Sequence, residues 1–176
     1  MPSYYVYLIS SLPFLSFSAK PPFGLAEFYA RCRDLIPEKE YKILSGLGEE
    51  KDYFLSPRLP AVLKEWAAFE ITLRNELARA RAGRKKTDPL KFLRLPEAPQ
   101  AEISHVAMNA YRSASVLEAE KILDQARWDF LENLSCGHYF DFKHLALYAL
   151  KLMILERWEK IQKADKEYLL NGVIAN

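Results

Sequence analysis

The sequence predicts a mainly α fold, a multi-helix bundle of two helical lobes with a short extended N-terminal arm. Long segments repeat apolar residues at spacings of three and four, which is the period of an amphipathic helix. One segment, LALYALKLMIL from Leu145 to Leu155, carries a single charged side chain. Between residues 84 and 101 several prolines separate two groups of such segments. These observations together favour two helical halves around a proline-containing linker.

The first nineteen residues contain no charged side chain. A signal peptide needs a basic start and an unbroken apolar run of about 7–15 residues, but the run Tyr4–Ile9 lacks a basic flank and is too short. A transmembrane helix needs about 20 continuous apolar residues, and Pro13 already interrupts this stretch. Aromatic and β-branched side chains favour extended backbone. We therefore expect a buried extended arm that ends at Pro13.

The first lobe is predicted over residues 1–83. Apolar spacing predicts a short helix in LAEFYARCRDLI, which Pro37 stops before it starts a second helix, PEKEYKILSGL. Glycines 46 and 48 end that helix. A long helix is then expected from Pro60 to about Gly83, with one apolar face for a core. The stripe on that face consists of Val62, Trp66, Phe69, Leu73, Leu77 and Ala80.

The linker is predicted over residues 84–101 and the second lobe over residues 102–176. A helix break is expected near Arg112–Ser115, where serines can cap a new helix. Asp141 is the expected N-cap of a last helix that runs toward Leu170. Its apolar segment is too short to span a bilayer, so we expect the centre of the bundle there. The helix before it carries the stripe Val116, Ala119, Leu123, Ala126, Phe130 and Leu134.

The two cysteines, Cys32 and Cys136, lie far apart and form no CxxC pair. A disulfide between them is the alternative, but two such residues in a domain of this size are more often buried thiols, which is what we expect. With no export signal in the sequence, a reducing cytoplasm is the expected compartment. The formal net charge of +2 indicates little about partners.

Two patterns resemble catalytic or metal sites without meeting their requirements. The fragment CGHYFDFKH contains His138 and His144 but lacks the ligand spacing of a zinc site, so we expect a structural role. Glu65, Glu70 and Glu76 are spaced five and six apart and are expected to be solvated charges. The sequence has no GxSxG elbow and no glycine-rich phosphate loop. We therefore predict that the chain has no catalytic residue, cofactor or metal, and that it is not an enzyme.

One local concentration of charge stands above the rest of the sequence, and we call it the basic edge. Between residues 79 and 94 seven cations face one anion, Asp88. Part of this charge complements the end of the preceding helix, and the remainder is suited to an acidic protein, phospholipid headgroups or nucleic acid. Few aromatic residues interleave with the cations, which disfavours single-stranded nucleic acid. The basic edge consists of Arg79, Arg81, Arg84, Lys85, Lys86, Lys91 and Arg94.

Two stretches carry a family resemblance. The N-terminal YYVYLISSLPFLSF, followed by KPPF and EFYARCRDLI, and the later GHYFDFKHLALYALKLMILERW resemble a small bacterial family. Genes of that family lie among those of V-type ATPases, in operons that lack the usual stalk-seating subunit, which is designated C in bacterial complexes and d in eukaryotic ones. The segment WAAFEITLRNELARAR loosely resembles a helix of the stalk-seating subunit itself, which has a basic end and the pattern NL followed by LR. Here the order is Leu73-Arg74-Asn75, so that pattern is not reproduced.

The resemblance implies a non-enzymatic, helical subunit of a rotary ATPase that moves protons or sodium ions. Such a subunit is an adaptor between the central stalk and the proteolipid ring, cytoplasmic and peripheral to the inner membrane through its complex. Its partners are other V-type ATPase subunits, with no nucleic acid and no transmembrane segment of its own. A second hypothesis is a helical module that binds nucleic acid or another polyanion through the basic edge. A third is an enzyme that uses Cys136, His138 and His144.

Overall fold

The computed structural model describes residues 4–48, 59–94 and 100–174, with backbone alone for residues 165–174. Over these ranges the regular structure is helical and contains no strand, so the mainly α fold class is confirmed. Two short 3-10 helices cover Gly46–Gly48 and Pro89–Phe92. The α-helices are α1 (Tyr5–Ser11), α2 (Leu25–Cys32), α3 (Glu38–Ser45), α4 (Ala61–Lys85), α5 (Ala101–Arg112), α6 (Val116–Ser135) and α7 (Phe142–Ile174).

The chain divides into two compact units. Unit 1 combines both ends of the chain, Met1–Tyr53 with Leu131–Asn176, and unit 2 is the stretch Phe54–Phe130. The lobes expected from the sequence are each continuous along the chain, whereas unit 1 is not. Helices α4 and α5 flank the segment expected to be a linker, and they pack against each other within unit 2.

The start of the N-terminal arm is helical, so the extended conformation predicted for it is wrong over Tyr5–Ser11. Leu8 and Ile9 are buried, whereas Val6 and Tyr7 are 61% and 69% exposed. This pattern has the period of a helix with one face on a core. Strand propensity mainly reflects how a side chain packs in its surroundings. Over Tyr5–Ser11 the packing of one helical face determines the backbone conformation, and the strand propensity of the side chains does not.

Polar contacts within unit 1 hold this first helix in place. The backbone N–H of Tyr4 donates to the carbonyl oxygen of Leu35 over 2.9 Å. The Tyr5 hydroxyl donates to the Glu40 carboxylate of α3. Burial and this hydrogen bond raise the pKa of Tyr5. After α1 the chain continues without regular helix to Gly24 and buries Leu15.

The first half of α7 is the centre of unit 1, as the sequence predicts. Residues 145–150 are all buried. The ring of Tyr148 stacks on Phe28 of α2 with centroids 5.3 Å apart. Its hydroxyl donates to the carbonyl oxygen of Pro13 over 3.0 Å, and burial raises its pKa to about 12. Tyr148 thus links α7 to both α2 and the N-terminal segment. No helix in the described ranges is long and apolar enough to cross a membrane.

A carboxylate from α7 caps α2. The backbone N–H of Leu25 donates to Oε1 of Glu156 over 2.7 Å. The first N–H groups of a helix have no partner within it, and negative charge is favourable beside them. A Cβ atom added at Gly24 would lie 2.9 Å from the same oxygen. Glycine at this position therefore leaves room for the capping carboxylate.

Unit 2 is built on the apolar face of α4. Phe69 stacks on Phe130 of α6 with centroids 4.1 Å apart, and Trp66 lies against both rings. Of the predicted stripe, Leu77 and Ala80 are partly exposed. The remaining members, Val62, Trp66, Phe69 and Leu73, are buried.

Helix α6 begins with the cap expected from the sequence. The Ser115 hydroxyl accepts from the backbone N–H of Glu118 over 3.1 Å, which satisfies one of the unpaired groups of the first turn. The stripe predicted for α6 is wrong at its first member, because Val116 is 82% exposed. Leu123 of the stripe is buried, and the buried face also includes Asp124 and Trp128.

A buried ion network joins α4 to α6 within unit 2. Arg127 donates to Glu70 over 2.6 Å and to Asp124 over 2.8 Å. Asp124 is 1% exposed and Glu70 is 8% exposed. Burying a charge without a partner costs several kcal/mol, so both carboxylates depend on the guanidinium. On the exposed side Arg74 approaches the same Glu70 at 3.6 Å.

Loss of Arg127 is expected to destabilise unit 2. We predict that Arg127→Ala lowers the free energy of unfolding by about 3 kcal/mol, because it removes the buried guanidinium that pairs with both Glu70 and Asp124. The matched control is Arg74→Ala, which removes an exposed partner of the same Glu70 and should cost about 0–1 kcal/mol. Urea denaturation followed by circular dichroism measures both. Equal losses in the two variants would contradict the prediction.

Candidate functional site

The basic edge lies at the C-terminal end of α4 and in the segment that follows. Helix α4 ends at Lys85, and the capping residue Lys86 adopts a left-handed conformation with φ of 51°. The Asp88 side chain then accepts from the backbone N–H of Leu90 and starts the 3-10 helix. Arg79 is partly buried, whereas the other six cations are exposed. The exposed members are Arg81, Arg84, Lys85, Lys86, Lys91 and Arg94.

Asn75 ties the end of the basic edge back to α4. Its amide donates to the carbonyl oxygen of Arg94 over 2.7 Å and accepts from the Arg94 N–H over 2.9 Å. Asn75 is 4% exposed, so this pair of hydrogen bonds is shielded from water. The segment after α4 therefore runs back along the helix as far as Asn75. Helix α5 then begins beside this part of α4. The cations grouped by the sequence are spread over two antiparallel pieces of chain.

Helices α4 and α5 form a cleft of about 490 Å³, which we call the α4–α5 cleft. Glu76 contacts Ser104 near the start of α5, whereas Arg84 and Arg112 line the cleft at the ends of the two helices. The helices thus run in the same direction. The lining residues are Glu76, Arg79, Ala80, Gly83, Arg84, Ser104, Met108, Tyr111 and Arg112.

Two of the three glutamates predicted to be solvated are buried. Glu70 and Glu76 are 8% and 6% exposed, and Glu65 alone lies at the surface. Glu76 forms an ion pair with Arg79 of the basic edge and accepts from the Ser104 hydroxyl over 2.6 Å. The expectation failed because α5 and α6 cover the face of α4 on which these carboxylates lie. Arg127 pairs with Glu70 and Arg79 pairs with Glu76 within unit 2, and the Ser104 hydroxyl adds a hydrogen bond to Glu76.

Unit 1 contains a separate depression of about 460 Å³, which we call the aromatic groove. Three large rings on its border face water, since Phe14, Tyr139 and Phe140 are 90%, 67% and 52% exposed. An ion pair between Lys151 and Glu132, 2.8 Å apart, lies at the same groove. Exposed aromatic clusters of this kind are typical of surfaces that contact other molecules.

The fragment CGHYFDFKH begins α7, which supports the structural role expected for it. Asp141 accepts from the backbone N–H of His144 over 2.9 Å and lies 2.5 Å from Nδ1 of His138. Burial acts to raise the pKa of Asp141, but the hydrogen bonds from His138 and His144 outweigh it and hold the pKa below its usual value. Across the part of the chain that the structure describes, His, Cys, Asp and Glu side chains form no group of three suited to a metal ion.

The two cysteines lie in different environments. Cys32 is fully buried, as expected, whereas Cys136 is exposed, so the predicted burial is wrong for the second thiol. Cys136 follows the last residues of α6, where the chain turns toward α7. Both thiols are free of disulfide bonds. Burial raises the pKa of the Cys32 thiol to about 12.

Residues 101–176 match a protein family described as a protein of unknown function (DUF2764). The match starts at the first residue of α5 and covers α5, α6 and α7. No curated protein and no solved structure matches the chain. The similarity thus concerns the part of the chain that contains the central helix of unit 1.

Sequence reasoning found one wall of the α4–α5 cleft and missed the other. Arg79 and Arg84 belong to the basic edge, but Ser104, Tyr111 and Arg112 come from α5. Those three residues lie at i, i+7 and i+8, which places them on one helical face. A polar face of this spacing beside a basic helix end is the signal in the sequence that predicts a second wall.

The Asp141 cap yields a pH-dependent prediction. Asp141→Ala is expected to lower the free energy of unfolding by about 1 kcal/mol at pH 6, because α7 loses its N-cap. The folded-state pKa is lowered, so the carboxylate contributes fully above its ordinary value of 3.8 and loses its contribution as the pH falls through the folded value. The difference from wild type should therefore shrink at pH 3. Urea titrations at both pH values measure it.

Asp34→Ala is the control, since Asp34 is an exposed aspartate of the same unit. This variant should differ little from wild type at either pH. A deficit of Asp141→Ala that stays constant between pH 6 and pH 3 would contradict the assigned cap.

Thiol labelling should separate the two cysteines. Thiolate is the reactive form, so buried Cys32, with its raised pKa, is expected to resist iodoacetamide at pH 8 while exposed Cys136 is alkylated. Peptide mass spectrometry reads the two sites. Cys136→Ser should show no rapid labelling until urea unfolds the protein. Comparable rates at both cysteines in the folded wild type would refute the assignment.

Proposed function

We propose that this chain is a non-catalytic helical adaptor of a V-type ATPase, comparable in role to the stalk-seating subunit of those complexes. It would join the central stalk to the proteolipid ring from the cytoplasmic side and take part in proton or sodium transport. Its partners would be the other proteins of that complex. The chain would perform this role through contacts with those partners and would catalyse no reaction itself.

One observation carries the proposal. The two stretches that resemble the ATPase-associated family lie far apart in sequence, and they pack against each other within unit 1. Tyr148 of the later stretch contacts Pro13 and Phe28 of the earlier one, and Glu156 caps the helix that begins at Leu25. The resemblance therefore extends over residues that form one packed core. This supports a shared fold for the stretches that carry it.

Two surfaces suit an adaptor because they are chemically different. The aromatic groove of unit 1 offers Phe14, Tyr139 and Phe140 to an apolar partner surface. The basic edge of unit 2 offers exposed cations to an acidic one. Charges across an interface raise the association rate and select the partner, whereas aromatic anchors contribute most of the affinity.

Co-purification tests the adaptor role directly. A tagged chain expressed in cells that contain the ATPase operon should recover stalk and proteolipid subunits from solubilised membranes. The charge-reversed variant Arg84→Glu, Lys85→Glu, Lys86→Glu should recover several-fold less of them, because like charges then oppose the acidic partner. Quantitative mass spectrometry measures the yield. Failure of the wild-type chain to recover any part of the ATPase would sink the proposal.

The matched control reverses three exposed lysines outside the basic edge, Lys39, Lys64 and Lys121. It makes the same change in net charge and should leave recovery unchanged. The competing polyanion hypothesis predicts a different result. In that case the wild-type chain binds nucleic acid with strongly salt-dependent affinity, and reversal of the basic edge abolishes it.

A further inference from the structure

The α4–α5 cleft concentrates groups that bind oxyanions. Three arginines line it, Arg79, Arg84 and Arg112. A serine and a tyrosine, Ser104 and Tyr111, also lie in its wall. Guanidinium groups bind phosphate and carboxylate through parallel N–H donors in a planar fork. The composition of the cleft is therefore that of an anion site.

The single carboxylate in the cleft does not cancel this charge. Glu76 forms an ion pair with Arg79 and accepts from the Ser104 hydroxyl over 2.6 Å, so its oxygens are occupied within unit 2. Among the described residues, Arg84 and Arg112 form no ion pair. The described residues thus leave the positive charges of Arg84 and Arg112 without a carboxylate partner, and both residues lie at the C-terminal ends of their helices.

Tyr111 provides an independent observation. Its hydroxyl is buried and has no hydrogen-bond partner in the described part of the chain. An unsatisfied buried hydroxyl is destabilising, and nearly all such groups in folded proteins find a partner. The residue lines the same cleft as the two arginines. An acceptor atom bound there would satisfy it.

Helix capping explains part of this arrangement. Arg84 and Arg112 lie in the last turns of α4 and α5, which run in the same direction, and cations are favourable beside the partial negative charge of helix ends. Capping requires neither a cleft of about 490 Å³ nor a buried phenol without a partner. These two features need a separate explanation.

We propose that the α4–α5 cleft binds the phosphate group of a small molecule. Arg84, Arg112 and Tyr111 are three separate donors, and a phosphate group offers three oxygens and up to two negative charges, whereas a carboxylate offers two oxygens and one. The buried Glu76 orients Arg79 at the inner wall. The inference goes beyond the adaptor role, since it concerns a small ligand of unit 2 and is tested on the purified chain alone.

Isothermal titration with inorganic phosphate at constant ionic strength tests the proposal. Wild type should bind phosphate saturably, and acetate and citrate at the same ionic strength should bind at least about tenfold more weakly. Arg112→Gln should weaken phosphate binding about tenfold, as expected for the loss of one charge-assisted contact. The control is Arg81→Gln, which removes the same charge from α4 outside the cleft lining and should leave the affinity unchanged.

Tyr111→Phe separates binding from folding. Removal of a hydroxyl that has no partner should leave the melting temperature of the ligand-free protein equal to or above that of wild type. The same change should weaken phosphate binding about threefold or more and reduce the stabilisation that phosphate confers. A purely structural tyrosine would lower the melting temperature and leave the phosphate affinity alone.

Three results would overturn the proposal. The first is the absence of saturable phosphate binding to wild type, and the second is equal phosphate affinity of Arg112→Gln and Arg81→Gln. The third is equal affinity of wild type for citrate and phosphate, which would assign the cleft to carboxylates instead. Circular dichroism of each variant confirms that it is folded before binding is measured.

Discussion

The apolar first half of α7 must be covered on nearly every side, and unit 1 depends on this constraint. A helix without a polar face is stable in water when other elements bury it. Each fully buried aliphatic side chain contributes about 1.5–3 kcal/mol. The cover comes from the N-terminal part of the chain. Phe28 stacks on Tyr148, and the carbonyl oxygen of Pro13 accepts a hydrogen bond from the Tyr148 hydroxyl. Residues 101–176, which match the family of unknown function, contain α7 but lack this cover.

Unit 2 is organised differently, because its interior is partly ionic. Glu70, Asp124 and Glu76 are buried, and each is paired with an arginine. Buried ion pairs contribute little net stability, since desolvation offsets the attraction. They do penalise any other register of the helices, which would leave a carboxylate without its cation. The apolar stripe of α4 therefore packs the helix against a core. The carboxylates of α4 help to specify which helices pack against it.

Much of the fold follows from the sequence because it depends on local signals. Most limits of α3 to α7 coincide with prolines, capping residues and apolar periods that act within a few residues. Helix α2 is an exception, because the apolar spacing predicts it through Ile36, whereas it ends at Cys32. The conformation of the N-terminal segment does not follow from local signals. Tyr5–Ser11 has strand-forming side chains but is helical, and it contacts distant residues such as Glu40. Cys136 also depends on tertiary context, since its exposure results from the turn between α6 and α7. Local rules do not encode either outcome.

The candidate site shows the same limit at the level of single side chains. The sequence groups seven cations as one edge, but the chain reverses between them, and hydrogen bonds from Asn75 hold the reversal. Arg79 is partly buried and forms an ion pair with Glu76 of the same helix. Lys91 lies in the 3-10 helix, on the piece of chain that runs back along α4. Proximity in sequence overstates how many of these charges act together. Under the two proposals, a partner of the basic edge would meet its exposed cations, and a phosphate group in the α4–α5 cleft would meet Arg84 together with Arg112 of another helix. Arg84 is common to both surfaces, so occupation of the cleft by an anion would lower the positive charge that the edge presents.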